Sequence, residues 1–244
     1  MIDWKCQCVA VVPCFNEATH IGAVVAGVQK RLPKVIVVDD GSTDTTGETA
    51  KSSGAEILRL QKNSGKGAAL RAGWQRAHEL GFTWTLMLDG DGQHAAQDIP
   101  GFFNRAEKTG AKFVVGNRME NSAAMPWLRR KVNQWMSKRI SRLTGVELPD
   151  SQCGFRLAHL ETLLSLPIAA NRFEIESEML VAFLAAGQKI EFVPIQTLYK
   201  TGVSKIRPLA DTFRWFHWRW AQRKSNQREI FLARTAMAKT FSAD

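Results

Sequence analysis

The sequence predicts an α/β protein with a doubly wound, mostly parallel sheet and helices on both faces. Three observations predict this class. Short apolar runs rich in β-branched residues alternate with segments of helical period along the first half of the chain. Glycines and acidic residues directly follow several of these runs. With 244 residues, 45% of them hydrophobic, the chain is also long enough to bury the sizeable core that such a sheet requires.

The first two predicted strands enclose one amphipathic helix. Residues 8–13 form a compact apolar run closed by proline, which is typical of a parallel strand buried on both faces. Apolar residues then recur at helical spacing over residues 21–32, and Asn16 is the expected cap of that helix. The β-branched run at residues 34–38 predicts the second strand.

Two more strands follow at similar spacing. Thr45 and Glu48 fit a capping box for a short helix, and residues 55–60 predict the third strand. A Gly-Lys-Gly sequence opens a helix over residues 65–81, and residues 83–88 predict the fourth strand. Right-handed crossovers between such strands produce a parallel sheet, so the loops at the carboxyl ends of the strands share one rim.

The fourth strand ends in the sequence D-G-D-G-Q-H at residues 89–94. Side chains alternate along a strand, so Asp89 and Asp91 point to the same side, and the glycines let a ligand approach the backbone. Two carboxylates and the Gln93 amide suit a hard divalent cation that is shared with phosphates. Taken alone, this spacing is more often a solvated turn.

Two other features of the rim suggest a nucleotide. Asp40 ends the second strand, where an acidic residue can accept from a ribose or a base, although an ordinary strand-to-helix turn is the alternative. Gly65-Lys66-Gly67 suits a phosphate-proximal loop at a helix N-terminus. It matches neither the P-loop nor the dinucleotide fingerprint, which disfavours those two classes of enzyme.

The second half of the chain departs from this regular alternation. Its predicted elements are a strand at 112–116, a helix at 125–143, a polar loop at 150–156, a helix at 175–186 and a strand at 189–195. The 125–143 helix carries six basic residues and no acid. Its apolar residues are expected on one side; they are Leu128, Val132, Trp135, Met136, Ile140 and Leu143.

The formal net charge of +10 implies an anionic partner. Residues 206–224 place aromatic and aliphatic side chains on one helical stripe, and residues 200–224 hold seven basic residues against Asp211. Tryptophan beside arginine on such a helix is typical of a segment in a membrane interface with anionic lipid. The alternative is a helix packed on the domain with a solvated basic face.

The remaining composition limits the compartment. Residues 1–8 lack the features of a signal peptide, and no window holds the roughly 18 uninterrupted apolar residues of a spanning helix. We therefore expect a cytoplasmic protein that is not integral to a membrane. The four cysteines form no zinc-like pairs, so they are expected to be reduced thiols.

Four motifs in the first half resemble, in order and spacing, the family 2 glycosyltransferases of the GT-A fold. They are P-C-F-N-E at 13–17, V-V-D-D-G-S-T-D at 37–44, N-S-G-K-G at 63–67 and L-D-G-D-G-Q-H at 88–94. Four later motifs are similar to those of the dolichyl- or polyprenyl-phosphate sugar synthases. They are G-N-R at 116–118, D-S-Q-C-G-F-R at 150–156, F-E-I-E-S-E at 173–178 and G-V-S-K at 202–205. The resemblance predicts a GT-A domain over residues 8–205, followed by a basic, tryptophan-rich tail over 206–244.

The resemblance implies a role for each matching position. The nucleoside of a nucleotide-diphospho-sugar would be held by Pro13, Phe15, Glu17, Val38 and Asp40. Lys66 and Gly90 would belong to the same donor site. Asp89, Asp91 and Gln93 would bind Mg²⁺ or Mn²⁺ together with the diphosphate. Arg118 would also belong to the nucleotide-sugar site and meet phosphate there, and Arg129 and Lys205 would meet phosphate on the acceptor side.

The implied reaction needs cations at the diphosphate leaving group, because negative charge grows there as the anomeric carbon becomes oxocarbenium-like. Asp91 and Arg118 are the expected catalytic residues for that step. A hydroxyl acceptor would also need a general base, for which Asp150 is the best candidate and Glu176 the next; a lipid phosphate chiefly needs positioning. Both carboxylates have a structural alternative, in which Asp150 orients Arg156 and Glu176 helps to anchor its helix.

Two departures limit the resemblance. Tyr199 stands where the synthases commonly have an arginine, six residues before Lys205. The basic tail also replaces the spanning helices of membrane-anchored synthases, so contact with lipid would be peripheral.

These observations predict an inverting, metal-dependent enzyme that moves a hexose from a GDP- or UDP-sugar to a polyprenyl phosphate or related lipid. It would act from a peripheral position on the cytosolic face of a membrane, through segments 125–143 and 206–224. The alternative is a family 2 transferase with a soluble or lipid-hydroxyl acceptor. A nucleic-acid-binding protein is disfavoured, because the acidic residues at the strand ends would repel phosphates. An inactive nucleotide-sugar-binding module is disfavoured by the intact D-x-D-x-Q sequence.

Overall fold

The computed structural model describes residues 2–120, 122 and 125–198, which form a seven-stranded sheet with helices packed against it. The strands are β1 (Cys8–Cys14), β2 (Val35–Asp39), β3 (Glu56–Arg59), β4 (Trp84–Met87), β5 (Phe113–Asn117), β6 (Arg156–His159) and β7 (Ile190–Pro194). The helices are α1 (Trp4–Gln7), α2 (Ala18–Gln29), α3 (Thr46–Ser52), α4 (Lys66–Glu79), α5 (Ile99–Thr109), α6 (Trp127–Thr144), α7 (Leu160–Leu164) and α8 (Ile175–Ala185). A 3-10 turn, Ala96–Asp98, precedes α5.

The first four strands confirm the predicted parallel arrangement. They lie in the order β3-β2-β1-β4, and all three neighbouring pairs are parallel. From β1 the chain adds β2 and β3 on one side and then crosses back to add β4 on the other side of β1. Right-handed crossovers therefore place α4 on the face opposite α2 and α3. Cover on both faces explains why β1, β2 and β4 are buried almost throughout. The point of reversal lies between β1 and β4, which is where a doubly wound sheet binds its ligand.

The antiparallel strand β6 is a feature that the sequence pattern did not predict. It lies between β4 and β5 and runs antiparallel to both, with Arg156 opposite Met87 and Val115. Its four residues begin with arginine and end with histidine, so they lack the apolar alternation by which strands are recognised. The predicted strands at 112–116 and 189–195 correspond to β5 and β7, which pair in parallel. The sheet is therefore mostly parallel, as predicted.

Two predicted helix caps are wrong. Asn16 has a φ of 54° and Glu17 is the N-cap of α2, while the Asn16 carboxamide accepts from the Thr43 amide at 2.9 Å. Thr45 is the N-cap of α3 but its side chain makes no capping bond, so no capping box forms. The Asp44 carboxylate accepts from the Thr46 amide at 3.0 Å instead. Asn16 thus bonds across to the β2–α3 loop instead of capping its own helix, and Asp44 takes the place expected for Thr45 at the start of α3.

Helix α6 is amphipathic, but its buried face differs from the predicted one. The buried residues are Asn133, Met136, Ser137, Ile140 and Thr144. Of the predicted stripe, Leu128 and Trp135 are exposed, with Leu128 at 54%. Small polar side chains occupy the inner face because the serine hydroxyls of α6 hydrogen-bond there, for example Ser137 to the Ser151 amide at 2.9 Å. Two residues of the predicted apolar stripe therefore remain at the surface, together with Trp127 at the start of the helix.

Among the helices within residues 2–120, 122 and 125–198, none is both long enough and apolar enough to cross a lipid bilayer.

Candidate active site

The loops after β1 and β2 join at the predicted rim. The Asp40 amide donates to the Cys14 carbonyl at 2.8 Å, and the Asn16 amide donates to the Ser42 hydroxyl at 2.9 Å. The Glu17 amide likewise donates to the Thr46 hydroxyl at 2.8 Å. These bonds bring together the loops that carry Pro13, Phe15, Glu17, Val38 and Asp40, the predicted nucleoside-binding residues. In each of the three bonds that join the two loops, the donor is a main-chain amide.

The exposure of these residues differs. Phe15 is 36% exposed at the rim, which leaves its ring accessible to a flat ligand. Val38 is completely buried in β2 opposite Pro13, so its side chain supports the wall from within the core. The Glu17 carboxylate lies 3.4 Å from His20 Nδ1, one turn along α2. The structure therefore presents Phe15 to the rim and keeps the Val38 side chain away from it.

Asp40 holds the neighbouring loop in place. Its two carboxylate oxygens accept from the amides of Ser64 at 2.7 Å and Gly65 at 2.8 Å. Asp40 is 3% exposed, and these bonds fix the start of α4 beside the end of β2. The predicted contact with a nucleoside would have to use the remaining lone pairs of this carboxylate.

The N-terminus of α4 is closed to phosphate at two amides. The amides of Gly67 and Ala68 both donate to the Asn171 carbonyl, at 2.7 and 3.2 Å. A Cβ atom at Gly67 would collide with the Ala170 carbonyl oxygen, so only glycine permits this close approach. These two amides are therefore not available to a phosphate, because the 169–174 segment already occupies them, and a phosphate-proximal role of the 65–67 loop stays a prediction.

Lys66 instead directs its side chain towards two carboxylates. Its ammonium contacts Asp89 Oδ1 and lies 2.6 Å from Glu176 Oε1. Burial lowers the pKa of Lys66, but the charges of Asp89 and Glu176 outweigh it and raise that pKa above its usual value. Burial likewise raises the pKa of Asp89, and the charges of Lys66 and His94 outweigh it, so the Asp89 pKa falls below its usual range. Lys66 and Asp89 are therefore both held in their ionised forms.

His94 supports Asp89 from the other side. Its Nε2 lies 3.2 Å from Asp89 Oδ2, and its side chain is 4% exposed. Its ring also packs against Phe155, with 5.2 Å between the ring centroids. A bond from Nε2 requires the proton on that nitrogen if the ring is neutral. His94 is thus placed to orient the first carboxylate of the D-x-D sequence.

The predicted metal ligands fit a hard divalent cation. Asp89 accepts from the Lys66 ammonium, and Gln93 Oε1 accepts from the Arg129 guanidinium at 3.3 Å, so two of the three predicted ligands already face cationic donors. Asp91 Oδ1 accepts from the main-chain amide of Gln93 at 3.0 Å, which folds the loop back on itself. Carboxylate and amide oxygens are the donors that Mg²⁺ and Mn²⁺ prefer. Within residues 2–120, 122 and 125–198, no group of three His, Cys, Asp or Glu side chains forms a metal site, and the predicted set of Asp89, Asp91 and Gln93 contains only two such side chains.

Arg118 and Asp150 form a buried ion pair. Arg118 Nε lies 2.7 Å from Asp150 Oδ2, Arg118 Nη2 lies 2.8 Å from Oδ1, and both residues are at most 5% exposed. Burial raises the pKa of Asp150, but Arg118 and the amides of Arg118 and Gln152 hold that pKa below its usual value. The prediction of Asp150 as a general base conflicts with this geometry, because a base must reach the proton that it removes.

Arg156 is a buried residue whose role the sequence did not reveal. Its guanidinium donates to the carbonyl oxygens of Cys153 at 2.7 Å, Glu176 at 2.7 Å and Ser151 at 3.1 Å. Burial lowers its pKa. Asp150 was predicted to orient Arg156, but it pairs with Arg118 instead. Arg156 thus fixes the 151–153 loop against the start of α8, where Glu176 lies.

The acidic start of α8 also anchors a neighbouring segment. Glu178 Oε2 accepts from the amides of Ala169 and Ala170, at 3.0 and 2.7 Å. Because the same segment covers the start of α4, Glu178 helps to hold Lys66 in place. Lys205, Tyr199 and the 206–244 tail lie outside the described residues.

Comparison with known proteins identifies the family of the chain. A model of the family described as glycosyl transferase family 2 matches residues 9–164. A UDP-N-acetylglucosamine–dolichyl-phosphate N-acetylglucosaminyltransferase from Methanococcus voltae is 31% identical over 212 residues, which cover 78% of this chain and 84% of the relative. An undecaprenyl-phosphate mannosyltransferase from Micrococcus luteus is 26% identical over 197 residues, which cover 76% of this chain and 81% of the relative.

A solved structure confirms the fold. It is glucosyl-3-phosphoglycerate synthase from Mycobacterium tuberculosis in complex with Mn²⁺, uridine diphosphate and phosphoglyceric acid. The TM-score is 0.69 at 20% sequence identity, and the match covers 86% of this chain and 74% of that chain. Together, the family match over more than half of the chain and the shared architecture show that this protein belongs to glycosyl transferase family 2 and is a glycosyltransferase of the GT-A fold.

Proposed function

We propose that this glycosyltransferase moves a hexose from a GDP- or UDP-sugar to a polyprenyl phosphate or a related lipid phosphate, with inversion at the anomeric carbon. The observation that carries the proposal is the buried pair of Arg118 and Asp150, which removes the best candidate base from use. The second candidate, Glu176, is also held in an ion pair. An acceptor that is already anionic needs neither carboxylate as a base.

The donor side of the proposal rests on the rim. Phe15, Glu17 and Asp40 would bind the nucleoside, and Asp89, Asp91 and Gln93 would hold Mg²⁺ or Mn²⁺. When bound, the metal supplies positive charge to the diphosphate of the leaving group. The solved structure of glucosyl-3-phosphoglycerate synthase contains Mn²⁺ and uridine diphosphate, which supports the choice of a divalent metal and a nucleoside diphosphate here. Lys66 adds a fixed positive charge beside the same carboxylates.

The acceptor side rests on arginines. Arg129 bonds to Gln93 at 3.3 Å, so a phosphate bound by this arginine would lie next to the metal-binding loop. Arg118 is fixed rigidly by Asp150, which suits a residue that meets an anion without rearranging. The names of the Methanococcus voltae and Micrococcus luteus relatives specify polyprenyl-phosphate acceptors, which supports the same class of acceptor here.

The reaction can proceed in one displacement. A phosphate oxygen of the acceptor forms a bond to the anomeric carbon as the bond from that carbon to the diphosphate oxygen breaks. The nucleoside diphosphate leaves with the electron pair of the broken bond. No proton must be removed from the acceptor, so the protein chiefly aligns the two substrates and stabilises the leaving charge.

Peripheral membrane association belongs to the same proposal. Helix α6 exposes Trp127 at 69% and Leu128 at 54%, directly beside Arg129 and Arg130. Aromatic and aliphatic side chains next to cations are suited to an anionic membrane surface. We place this contact on the cytosolic face, with α6 next to the acceptor arginine. The second proposed segment, residues 206–224, lies outside the described residues.

A transfer assay tests the proposal. Radiolabelled nucleotide sugars are offered with Mn²⁺ to the full chain and a polyprenyl phosphate, and the product is extracted into organic solvent. We expect a lipid-linked product whose formation is reduced at least about a hundredfold by Asp91→Ala, on the scale of a lost electrostatic catalytic group. The matched control is Glu79→Ala, because Glu79 is an exposed carboxylate at the far end of α4.

The choice of acceptor decides the outcome. Transfer to a lipid or soluble hydroxyl, with none to polyprenyl phosphate, would support the alternative acceptor class and contradict the proposal. In that case Asp150 would have to leave its pair with Arg118 before acting as a base.

A further inference from the structure

Three distant parts of the chain meet at one buried ammonium. Lys66 begins α4, Asp89 follows β4, and Glu176 lies in the first turn of α8. The Lys66 ammonium contacts Asp89 Oδ1 and lies 2.6 Å from Glu176 Oε1. The side chains of Lys66 and Glu176 are 10% and 8% exposed, whereas that of Asp89 is 29% exposed. The cluster is therefore closed on the Glu176 side and open at Asp89.

Gly154 and Phe173 enclose the ammonium. A Cβ atom at Gly154 would lie 2.7 Å from Lys66 Nζ and 2.6 Å from Asp89 Oδ2, so any side chain there would separate the two groups. The Phe173 ring lies 5.8 Å from the ammonium, measured to the ring centroid. The packing thus holds Lys66 against the carboxylate that begins the D-x-D sequence.

This contact creates a conflict with metal binding. An ammonium and a divalent cation on the same carboxylate repel each other, and the repulsion is weakly screened in a buried site. If Lys66 left the cluster, Glu176 would also remain as an unpaired buried charge. The arrangement that relieves both problems keeps the bond between Lys66 and Glu176 and releases Asp89.

We propose that Lys66 is a movable counter-charge, which neutralises Asp89 in the donor-free enzyme and yields Asp89 to the metal when the donor binds. Glu176 is the positioning residue that retains the ammonium. The other hydrogens of the ammonium then become available to the diphosphate, since an ammonium has three donors. This inference rests on the donor site of the proposed function and adds a coupling within it.

The inference predicts that metal and nucleotide bind synergistically. Metal alone must compete with Lys66 for Asp89, so it binds weakly. The nucleoside diphosphate adds negative charge that attracts the released ammonium, so each ligand strengthens the binding of the other. Removing Lys66 should strengthen the binding of metal alone and weaken the synergy, which are opposite effects of one substitution.

The test measures Mn²⁺ binding to the full chain by electron paramagnetic resonance, with and without UDP or GDP. For Lys66→Met we expect the Kd for Mn²⁺ alone to fall about tenfold, and the gain in Mn²⁺ affinity on adding nucleotide to shrink by a similar factor, within the usual range of coupling between sites. Glu176→Gln leaves Lys66 with only Asp89, so it should raise the Kd for Mn²⁺ alone.

Two variants control for charge and folding. Lys62→Met removes a neighbouring exposed lysine from the loop before α4 and should leave the Mn²⁺ affinity nearly unchanged. The double variant of Lys66→Met with Glu176→Gln leaves no unpaired charge at position 176, and it should bind Mn²⁺ alone as tightly as Lys66→Met does.

Unchanged or weaker binding of Mn²⁺ alone to the folded double variant would overturn the inference, as would an equal effect of Lys62→Met. A wild-type chain that binds no Mn²⁺ with either nucleotide would overturn both this inference and the proposed donor site. Transfer to a different acceptor would contradict only the proposed function, because the binding test contains no acceptor.

Discussion

Asp150 shows that the environment of a residue, and not its type, decides what it can do. In the sequence it is the first residue of a polar loop at 150–156, which suits a general base. In the structure it is completely buried, bound by Arg118 in two places, and further bonded to the amides of Arg118 and Gln152. Such a carboxylate stabilises a loop and orients an arginine.

The pH dependence of stability tests this role. Because the pKa of Asp150 is lowered on folding, its stabilisation is fully present above the ordinary aspartate pKa of 3.8 and is lost as the pH falls through the lower folded value. At pH 7, Asp150→Asn should lower the free energy of unfolding by about 3–5 kcal/mol, as expected for breaking a buried pair. The difference in the free energy of unfolding between variant and wild type should shrink below about pH 4. Chemical denaturation from pH 3 to 7 measures it.

Removing both partners provides the control. Asp150→Leu combined with Arg118→Met should cost less stability than Asp150→Asn alone, because no buried charge is left unpaired. A stability difference that stays constant from pH 3 to 7 would contradict the ion-pair role.

The sequence predicted the chemistry of individual rim residues better than their partners. Asp89, Asp91 and Gln93 could be predicted as metal ligands because carboxylates and an amide at the end of a strand are a local pattern. The partner of Lys66 was not found, because Glu176 lies 110 residues further along the chain and no periodicity links the two. Arg156 was missed as a clamp for the same reason, since its bonds go to main-chain carbonyls and carry no side-chain signature.

At the scale of elements, α6 combines structural and surface roles. Its inner face packs through small polar and apolar side chains, and its outer face carries Trp127, Leu128 and Trp135. Arg139 lies over the Trp135 ring, 4.9 Å from its centroid, so that tryptophan is already paired with a cation. Trp127 and Leu128 are the more exposed pair, and they precede Arg129, which bonds to Gln93. The apolar surface and the proposed acceptor site thus share the first turn of the helix.

Membrane binding through this turn can be measured with liposomes. Replacing Trp127 and Leu128 together by alanine should lower partitioning onto anionic vesicles about tenfold or more, since each side chain contributes roughly 1.5–3 kcal/mol when fully buried. Replacing Arg130 and Lys131 by glutamine should remove mainly the salt-dependent part of the binding free energy to vesicles, at about 1 kcal/mol per charge. Sedimentation with vesicles of increasing anionic lipid content measures both effects.

The control replaces an exposed apolar residue elsewhere. Leu80→Ala lies just after α4 and should leave partitioning unchanged. Equal partitioning of the wild type and the Trp127/Leu128 variant would show that this turn is not a membrane contact.

For the whole molecule, the sequence predicted six of the seven strands and missed β6, the antiparallel strand that joins β4 to β5. Strands β1 to β4 and helices α2 and α4 are each specified by a local apolar pattern, so their existence and order could be read directly. Strand β6 forms because β4 and β5 offer pairing partners on both sides, and four residues with a leading arginine give no local signal for this. Its position matters for the site, because the loop before it carries Asp150, Cys153 and Gly154.

The same assembly makes the stability of the whole fold a measure of donor binding. The proposed nucleoside loops, the metal-binding loop and the start of α8 are joined through Asp40, Lys66 and Glu176, so a ligand that binds across them stabilises the folded state only. At a ligand concentration of about 100 times Kd, the added stability is about 2.7 kcal/mol. For a domain of this size, we expect Tm to rise by about 5–10 °C with Mn²⁺ and the correct nucleoside diphosphate.

A thermal shift panel of UDP, GDP, ADP and CDP with Mn²⁺ tests this expectation and identifies the base. Asp91→Ala should abolish the shift, whereas Glu79→Ala, which changes an exposed carboxylate away from the rim, should preserve it. The shift should also depend on metal and nucleotide together, because the two ligands share one diphosphate site. Melting that is unchanged across the panel in the presence of Mn²⁺ would contradict the assignment of the rim as a donor site, since binding to the folded state alone must raise Tm.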